Sequence, residues 1–178
     1  MSEELKQHIL KNGLNLGLIL IAITLFTYTG GAELATNYFV SIGSLLLIII
    51  FPIYYTRKLR AHNDGYISFR EAFSSCTGIL IAAGFLKTFV SILIYNVIDP
   101  GFALEMLDAI IEMTVTQMES GGMDEAQIEQ AVKVIEEGSD FSAVNMFKGY
   151  VFGIIFYTIF GLIVAAITKN DRPEFIED

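Results

Sequence analysis

One lysine, Lys87, lies within a long apolar stretch and is the side chain best placed to do chemistry inside a membrane. An ionisable group at that depth costs roughly 3 kcal/mol or more unless it is paired or hydrated, which makes it a functional candidate. Ser91 and Tyr95 follow at four-residue intervals, so the three side chains would form a polar stripe along a helix. No acidic residue lies in an apolar stretch to serve as a counter-ion. Two interpretations stay open: the lysine packs or extends towards the headgroups, or the stripe lines a path for an ion or substrate.

Glycines recur in one register in the first and last apolar stretches. Gly13 and Gly17 form a pair in the first stretch, and Gly149, Gly153 and Gly161 share one register in the last. Glycines spaced in this way let two helix backbones approach closely in lipid. The pattern predicts helix packing, either within one bundle or across a homo-oligomer seam.

The other reactive side chains do not form a recognisable catalytic or metal-binding set. The chain has one cysteine, Cys76, and two histidines, His8 and His62, and it lacks HExxH, GxSxG and P-loop patterns. Methionine sulfur could bind Cu(I), but without histidine or cysteine nearby it is more typical of an adaptable apolar surface. The sequence therefore predicts no metal site, no cofactor and no enzymatic activity. Five methionines fall within residues 99–146: Met106, Met113, Met118, Met123 and Met146.

Composition indicates the setting in which these residues act. Of 178 residues, 53% are hydrophobic and 17% are charged, and the mean hydropathy is +0.56. A soluble domain has about a quarter of its residues charged. The net charge of −9 argues against a nucleic-acid partner, which requires a basic surface. The expected partner is therefore the lipid bilayer.

Four apolar stretches are long enough to cross a bilayer, whose core of about 30 Å needs about 20 apolar residues in a helix. They cover about 13–30, 34–55, 73–98 and 147–168, with Pro52 near the end of the second. So many uncharged helices exceed what the core of a soluble protein of this length could bury. The predicted fold is an all-α membrane protein with four transmembrane helices and an extracytoplasmic helical hairpin between spans 3 and 4. Residues 1–178 are predicted to form a single membrane domain.

The hairpin is predicted from residues 99–146, which hold 11 acidic residues and one lysine. Asp99 and Pro100 suit the start of a first helix, Gly121 and Gly122 end it, and Asp124 suits the start of a second. The first helix has an apolar face that could contact the second helix, the membrane or another protein. The residues of that face singled out as a candidate partner surface are Phe102, Met106 and Met113.

Most of the basic residues fall on one side of the membrane if the chain crosses it four times as predicted. Eight of the 11 Lys and Arg residues lie before the first span, between the second and third, or after the fourth. Cationic loops remain in the cytoplasm, which predicts cytoplasmic termini and an extracytoplasmic hairpin. Cleavage of the first span as a signal peptide is an alternative because residues 30–32 are small. Glu3, Glu4 and the length of the apolar run disfavour it.

Two short motifs carry a resemblance to a known family. The sequence GYISFREAF at 65–73 precedes the third span, and YNVIDP at 95–100 ends it. With the order of spans, basic loop and helical insert, the chain resembles the domain of unknown function 4199 family, bacterial membrane proteins found mainly in Bacteroidota. The resemblance implies a multi-pass protein of the bacterial inner membrane and brings no catalytic residues.

The leading functional interpretation is a non-enzymatic membrane protein that assembles with, or regulates, other envelope proteins through the hairpin. This follows from the absence of a catalytic constellation. The alternative is a small channel or transport component, as a single chain or an oligomer, with Lys87 lining a polar path. An intramembrane enzyme of another type is a third possibility.

Overall fold

A computed structural model describes residues 1–172, which are helical over most of their length. Four of the helices are long and apolar enough to span a membrane, and no β-strand is present in the described residues. The predicted all-α class with four spans is confirmed. The helices are α1 (Glu3–Thr29), α2 (Ala32–Ala35), α3 (Tyr38–His62), α4 (Phe69–Leu93), α5 (Phe102–Ser120), α6 (Glu125–Gly138) and α7 (Ala143–Thr168).

The long helices extend beyond the predicted apolar stretches, since polar terminal turns continue the helix into the interface. The α1 helix begins ten residues early, where the Ser2 hydroxyl accepts from the amide of Leu5 (3.3 Å). Pro52 was expected near the end of the second span, but α3 continues to His62. A proline removes only one helical hydrogen bond, which a membrane helix tolerates where neighbours satisfy the backbone. Pro52 is buried in this bundle.

Local capping explains where several helices start. Ser68 and Glu71 form the expected reciprocal pair at the start of α4, with the Glu71 carboxylate accepting from the Ser68 amide (3.0 Å). Asp124 and Gln127 form a second such pair at the start of α6. Each pair satisfies amides that have no partner within the helix. Between the first two spans lies the short helix α2, entered through Gly31 at a φ of +86°.

Helix α4 is central and packs against α1 and α7 along most of its length and against α3 over a shorter stretch. The start of α1 and the ends of α3 and α7 meet at one end of the bundle, which we call the terminal end. There Arg60 donates to the Thr168 carbonyl (3.2 Å). The opposite end, where α2 and α5 lie over the bundle, we call the hairpin end.

The loop between α3 and α4 is fastened to the end of α7. Ile67 and Asn170 exchange backbone hydrogen bonds of 2.9 and 2.8 Å, and the Asn170 amide donates to the Gly65 carbonyl (2.8 Å). Ile67 is 1% exposed, and Gly65 has a φ of +84°, which favours glycine. The GYISFREAF motif is therefore explained by packing and capping.

A π-helical turn at Ile94–Ile98 ends α4 and leads into α5. The Asp99 carboxylate accepts from the amide of Phe102 (3.3 Å) and from the Tyr28 hydroxyl (3.2 Å). Asp99 therefore caps α5 as expected, although that helix begins two residues after Pro100. The same carboxylate joins the end of α1 to the base of the hairpin.

Candidate functional site

Lys87 lies at the centre of the inward face of α4. Ala83 and Gly84 are buried one turn before it, and Ser91 and Ile94 are buried one and two turns after it. Lys87 nevertheless has an exposed side chain. Lys87 is therefore accessible although the residues one turn away on the same stripe are covered.

Two glycines of the neighbouring helices face open space. A side-chain carbon added at Gly43 of α3 or at Gly149 of α7 would meet no atom within 4 Å. Gly149 adjoins Tyr150, whose ring lies 6.1 Å from that of Phe85. The Tyr150 hydroxyl also donates to the Ile81 carbonyl (3.0 Å), so α7 remains in contact with α4 near Lys87.

Of the two polar residues predicted to accompany Lys87, one shares its face. Ser91 is 8% exposed on the same inward stripe. Tyr95 falls in the π-helical turn, and its ring stacks on Phe141 (5.2 Å between centroids) and contacts Phe102 (5.5 Å). Within residues 1–172, no ion pair or hydrogen bond includes Lys87. The structure therefore brings Lys87 and Ser91 together and assigns Tyr95 to the base of the hairpin.

The predicted glycines divide into two groups. At Gly13 and Gly17 an added carbon would lie 2.6 Å from Ala82 Cβ and 2.7 Å from a methyl carbon of Leu86, so α1 and α4 are in close contact there. Gly161 is similarly close to Thr77 of α4. At Gly149, by contrast, an added carbon would meet no atom within 4 Å, and at Gly153 the nearest atoms belong to Tyr157 of the same helix. Three of the five glycines thus pack within this bundle.

The predicted partner surface is largely buried, which corrects the expectation for two of its three residues. Phe102 and Met106 are 4% and 9% exposed and pack with Ala32 and Ile94 at the hairpin end. They anchor α5 to the spans because burying an apolar face there removes it from water. Only Met113, which is 36% exposed, remains accessible.

The second hairpin helix has a different environment. Helix α6 contains no buried residue, and within residues 1–172 its main packing partner is α5. Ile128 and Ile135 are half-buried towards α5, whereas Val134 is 63% exposed. The methionines are also dispersed: Met106 is buried at the base of the hairpin and Met123 is 49% exposed at its tip. No cluster of His, Cys, Asp and Glu suited to a metal ion occurs in the described part of the chain.

These features define an all-helical, multi-pass membrane protein with a helical hairpin outside its spans. The family model described as protein of unknown function (DUF4199) matches residues 11–170, so the chain belongs to that family. The resemblance drawn from the two motifs is thereby confirmed. No curated protein and no solved structure matches the chain.

Proposed function

We propose that the protein is a non-enzymatic assembly or regulatory partner of other envelope proteins, which it contacts through α6. One observation carries the proposal: α5 is anchored to the spans, while α6 packs mainly against α5 and has no buried residue among positions 1–172. A fixed base with an uncovered outer face supports a docking role, since little order has to be gained on binding.

The charge of the hairpin indicates the kind of partner. Residues 99–146 carry 11 acidic side chains against Lys133 alone, and Lys133 lies 4.0 Å from Glu137. Complementary charge speeds encounter and selects partners. We infer a partner with a basic surface on the same side of the membrane as the hairpin. We further propose that this side is extracytoplasmic, with both termini in the cytoplasm of a bacterial inner membrane, because eight of 11 basic residues lie at the terminal end.

Photocrosslinking in native membranes tests the role of α6. A photoreactive residue in place of Val134 faces outward, whereas one in place of Ile135, the next position, faces α5. We expect the Val134 variant to crosslink to a second protein and the Ile135 variant to crosslink within the chain. High salt should reduce the Val134 product because exposed charges are screened. Equal crosslinking at both positions, or none at Val134, contradicts the proposal.

A channel or transport component is a second candidate function, favoured by the accessibility of Lys87 on the inward face of α4. The test compares Lys87→Cys with Ala83→Cys, one turn away on the same stripe and 1% exposed. Both belong in a Cys76→Ala background, since Cys76 is the single native cysteine. A polar path predicts that a water-soluble maleimide labels position 87 and spares position 83. Protection of position 87 from both sides of the membrane rejects the path.

A further inference from the structure

A polar cavity opens at the terminal end of the bundle, between the first turns of α1 and the last turns of α3. Its volume is about 650 Å³. Neither Lys87 nor any residue of the hairpin lines it, so neither proposed function involves it. Its wall includes Lys11, Lys58, His8, His62, Asn12 and Asn15.

The cavity has a positive wall. Neither Lys11 nor Lys58 belongs to an ion pair among residues 1–172. One carboxylate, that of Glu4, reaches the cavity, and its Oε1 lies 3.6 Å from Nε2 of His62. Lys58 Nζ lies 5.8 Å from the centre of the Tyr55 ring, which holds the ammonium near the wall. Two lysines facing one carboxylate favour an anionic ligand.

The wall also contains a hydrogen-bonding atom without a partner. The Asn12 side chain donates to the His8 carbonyl (2.8 Å), and its Nδ2 lies 3.3 Å from Nδ1 of the His8 ring. Because the Asn12 amide donates to Nδ1 of His8, that nitrogen is the acceptor. In the neutral His8 ring the hydrogen is therefore on Nε2. Among residues 1–172 that Nε2 has no hydrogen-bond partner, and it is covered from solvent. A ligand oxygen would satisfy this donor once the His8 ring turned towards the cavity.

An apolar groove on α3 continues directly from the cavity. It is lined by Gly43, Leu46, Leu47, Ile50, Phe51, Tyr54 and Tyr55, and Tyr55 also borders the cavity. Lys58 and His62 extend the same helical stripe beyond Tyr55. From residue 43 to residue 55 the groove spans about 18 Å, close to one leaflet of a bilayer core of about 30 Å.

We propose that this site binds an anionic glycerophospholipid, with its phosphate against Lys11 and Lys58 and one acyl chain along the α3 groove. A free phosphate would use the cavity but leave the groove unexplained. Basic pockets between transmembrane helices at the cationic side of a membrane bind anionic headgroups by this combination of charge and depth.

Lipid binding to the purified full-length protein in detergent tests the site. The probes are phosphatidylglycerol, phosphatidylcholine with the same acyl chains, and soluble glycerol phosphate. Native mass spectrometry should show tighter binding of phosphatidylglycerol than of phosphatidylcholine. The double variant Lys11→Gln/Lys58→Gln should bind phosphatidylglycerol roughly 30-fold more weakly, at about fivefold per lysine.

Two further variants separate the site from general charge and from misfolding. Lys6→Gln/Lys169→Gln removes the same charge at the same end of the bundle but outside the cavity, and it should retain wild-type binding. Lys11→Arg/Lys58→Arg keeps the charge and should retain most of the binding. An equal loss in the Lys6/Lys169 control overturns the proposal. So does glycerol phosphate binding as tightly as the lipid, because the groove would then contribute nothing.

Discussion

Gly13 and Gly17 set how closely α1 approaches α4. At both positions a single added carbon would collide with α4: with Ala82 Cβ at 2.6 Å for Gly13, and with Leu86 at 2.7 Å for Gly17. Packing of this kind substitutes for the hydrophobic effect between helices in lipid, where apolar side chains gain nothing by leaving the solvent. At the residue scale, the bundle is therefore most sensitive where helix backbones are closest.

Replacing Gly13 with alanine should destabilise the protein, because the Ala82 methyl belongs to a packed helix and cannot move freely. We expect a cost of about 1–3 kcal/mol in the free energy of unfolding. Gly149→Ala is the matched control, since an added carbon there meets no atom within 4 Å. It should be neutral or slightly stabilising, by at most about 1 kcal/mol. Both changes in the free energy of unfolding can be measured from the loss of helix content when the protein in micelles is titrated with denaturant. Equal destabilisation by the two substitutions would contradict this explanation of the packing.

Asp140 makes the junction between α6 and α7 dependent on pH. The Ser142 amide donates to its Oδ1 (2.7 Å) and the Asn145 side chain donates to its Oδ2, which hold the pKa of Asp140 below its ordinary value of 3.8. A lowered pKa means that the folded state favours the charged carboxylate. Its stabilisation is therefore present above about pH 4 and is lost as the pH falls through the lower folded-state pKa.

Hydrogen exchange at the Ser142 amide should report this loss. Relative to Asp140→Ala, which lacks the acceptor, the wild-type amide should be protected near neutral pH and should approach the variant as the pH falls below about 4. Asp140→Asn, which keeps an acceptor oxygen but has no charge to titrate, should show no such change. Equal protection of wild type and Asp140→Ala at neutral pH would contradict the assignment.

At the element scale, the base of the hairpin is a second, small apolar core. The Phe102 ring contacts Tyr28 of α1 edge-on, at 5.0 Å between centroids, and Tyr95 at 5.5 Å. The Asp99 carboxylate connects the same elements by accepting from Tyr28. The start of α5 is thus held by contacts with Tyr28, Tyr95 and Asp99, whereas α6 depends on its packing against α5. We therefore expect α6 to unfold before α5 does.

Phe102→Ala should release the hairpin while leaving the spans intact. Removal of a buried aromatic ring costs about 3–5 kcal/mol, here confined to one local cluster. Met113→Ala, on the same helix but 36% exposed, should change stability by no more than about 0.5 kcal/mol. Limited proteolysis measures the difference. Cleavage within residues 121–124 should be faster than in wild type for Phe102→Ala and unchanged for Met113→Ala. A similar rate for both variants would show that Phe102 does not anchor α5.

At the scale of the whole molecule, charge differs between the two ends. The terminal end carries eight basic residues and the hydrogen bonds of the α3–α4 loop to α7. The hairpin end carries the 11 acidic residues of positions 99–146. This asymmetry of charge supports the proposed threading, with the basic end in the cytoplasm.

Thiol labelling tests the proposed threading. In a Cys76→Ala background, an impermeant maleimide applied to intact cells should label Met123→Cys, at the exposed tip of the hairpin. It should spare Asn63→Cys, in the α3–α4 loop at the terminal end, until the membrane is broken. Labelling of Asn63→Cys in intact cells would reverse the orientation.

The sequence alone determined the four spans, the capping pairs and the polarity of charge. Each of these is local: a membrane helix satisfies its own backbone hydrogen bonds, so its position follows from a run of apolar residues. Ser68 and Asp124 are readable for the same reason, since each bonds to groups three residues away. The length of α3 beyond Pro52 was missed because hydropathy marks only the apolar turns that can lie in lipid. The polar turns that continue the helix to His62 give no such signal.

Only the tertiary structure decided which faces are covered. Phe102 and Met106 looked like a free surface until α2 and the π-helical turn were seen to cover them. Lys87 belongs to a stripe whose other members are buried, yet it is itself exposed. His8 and Lys58 line one cavity although 50 positions separate them. Such contacts depend on how distant helices pair and rotate, which the periodicity of a single helix does not specify.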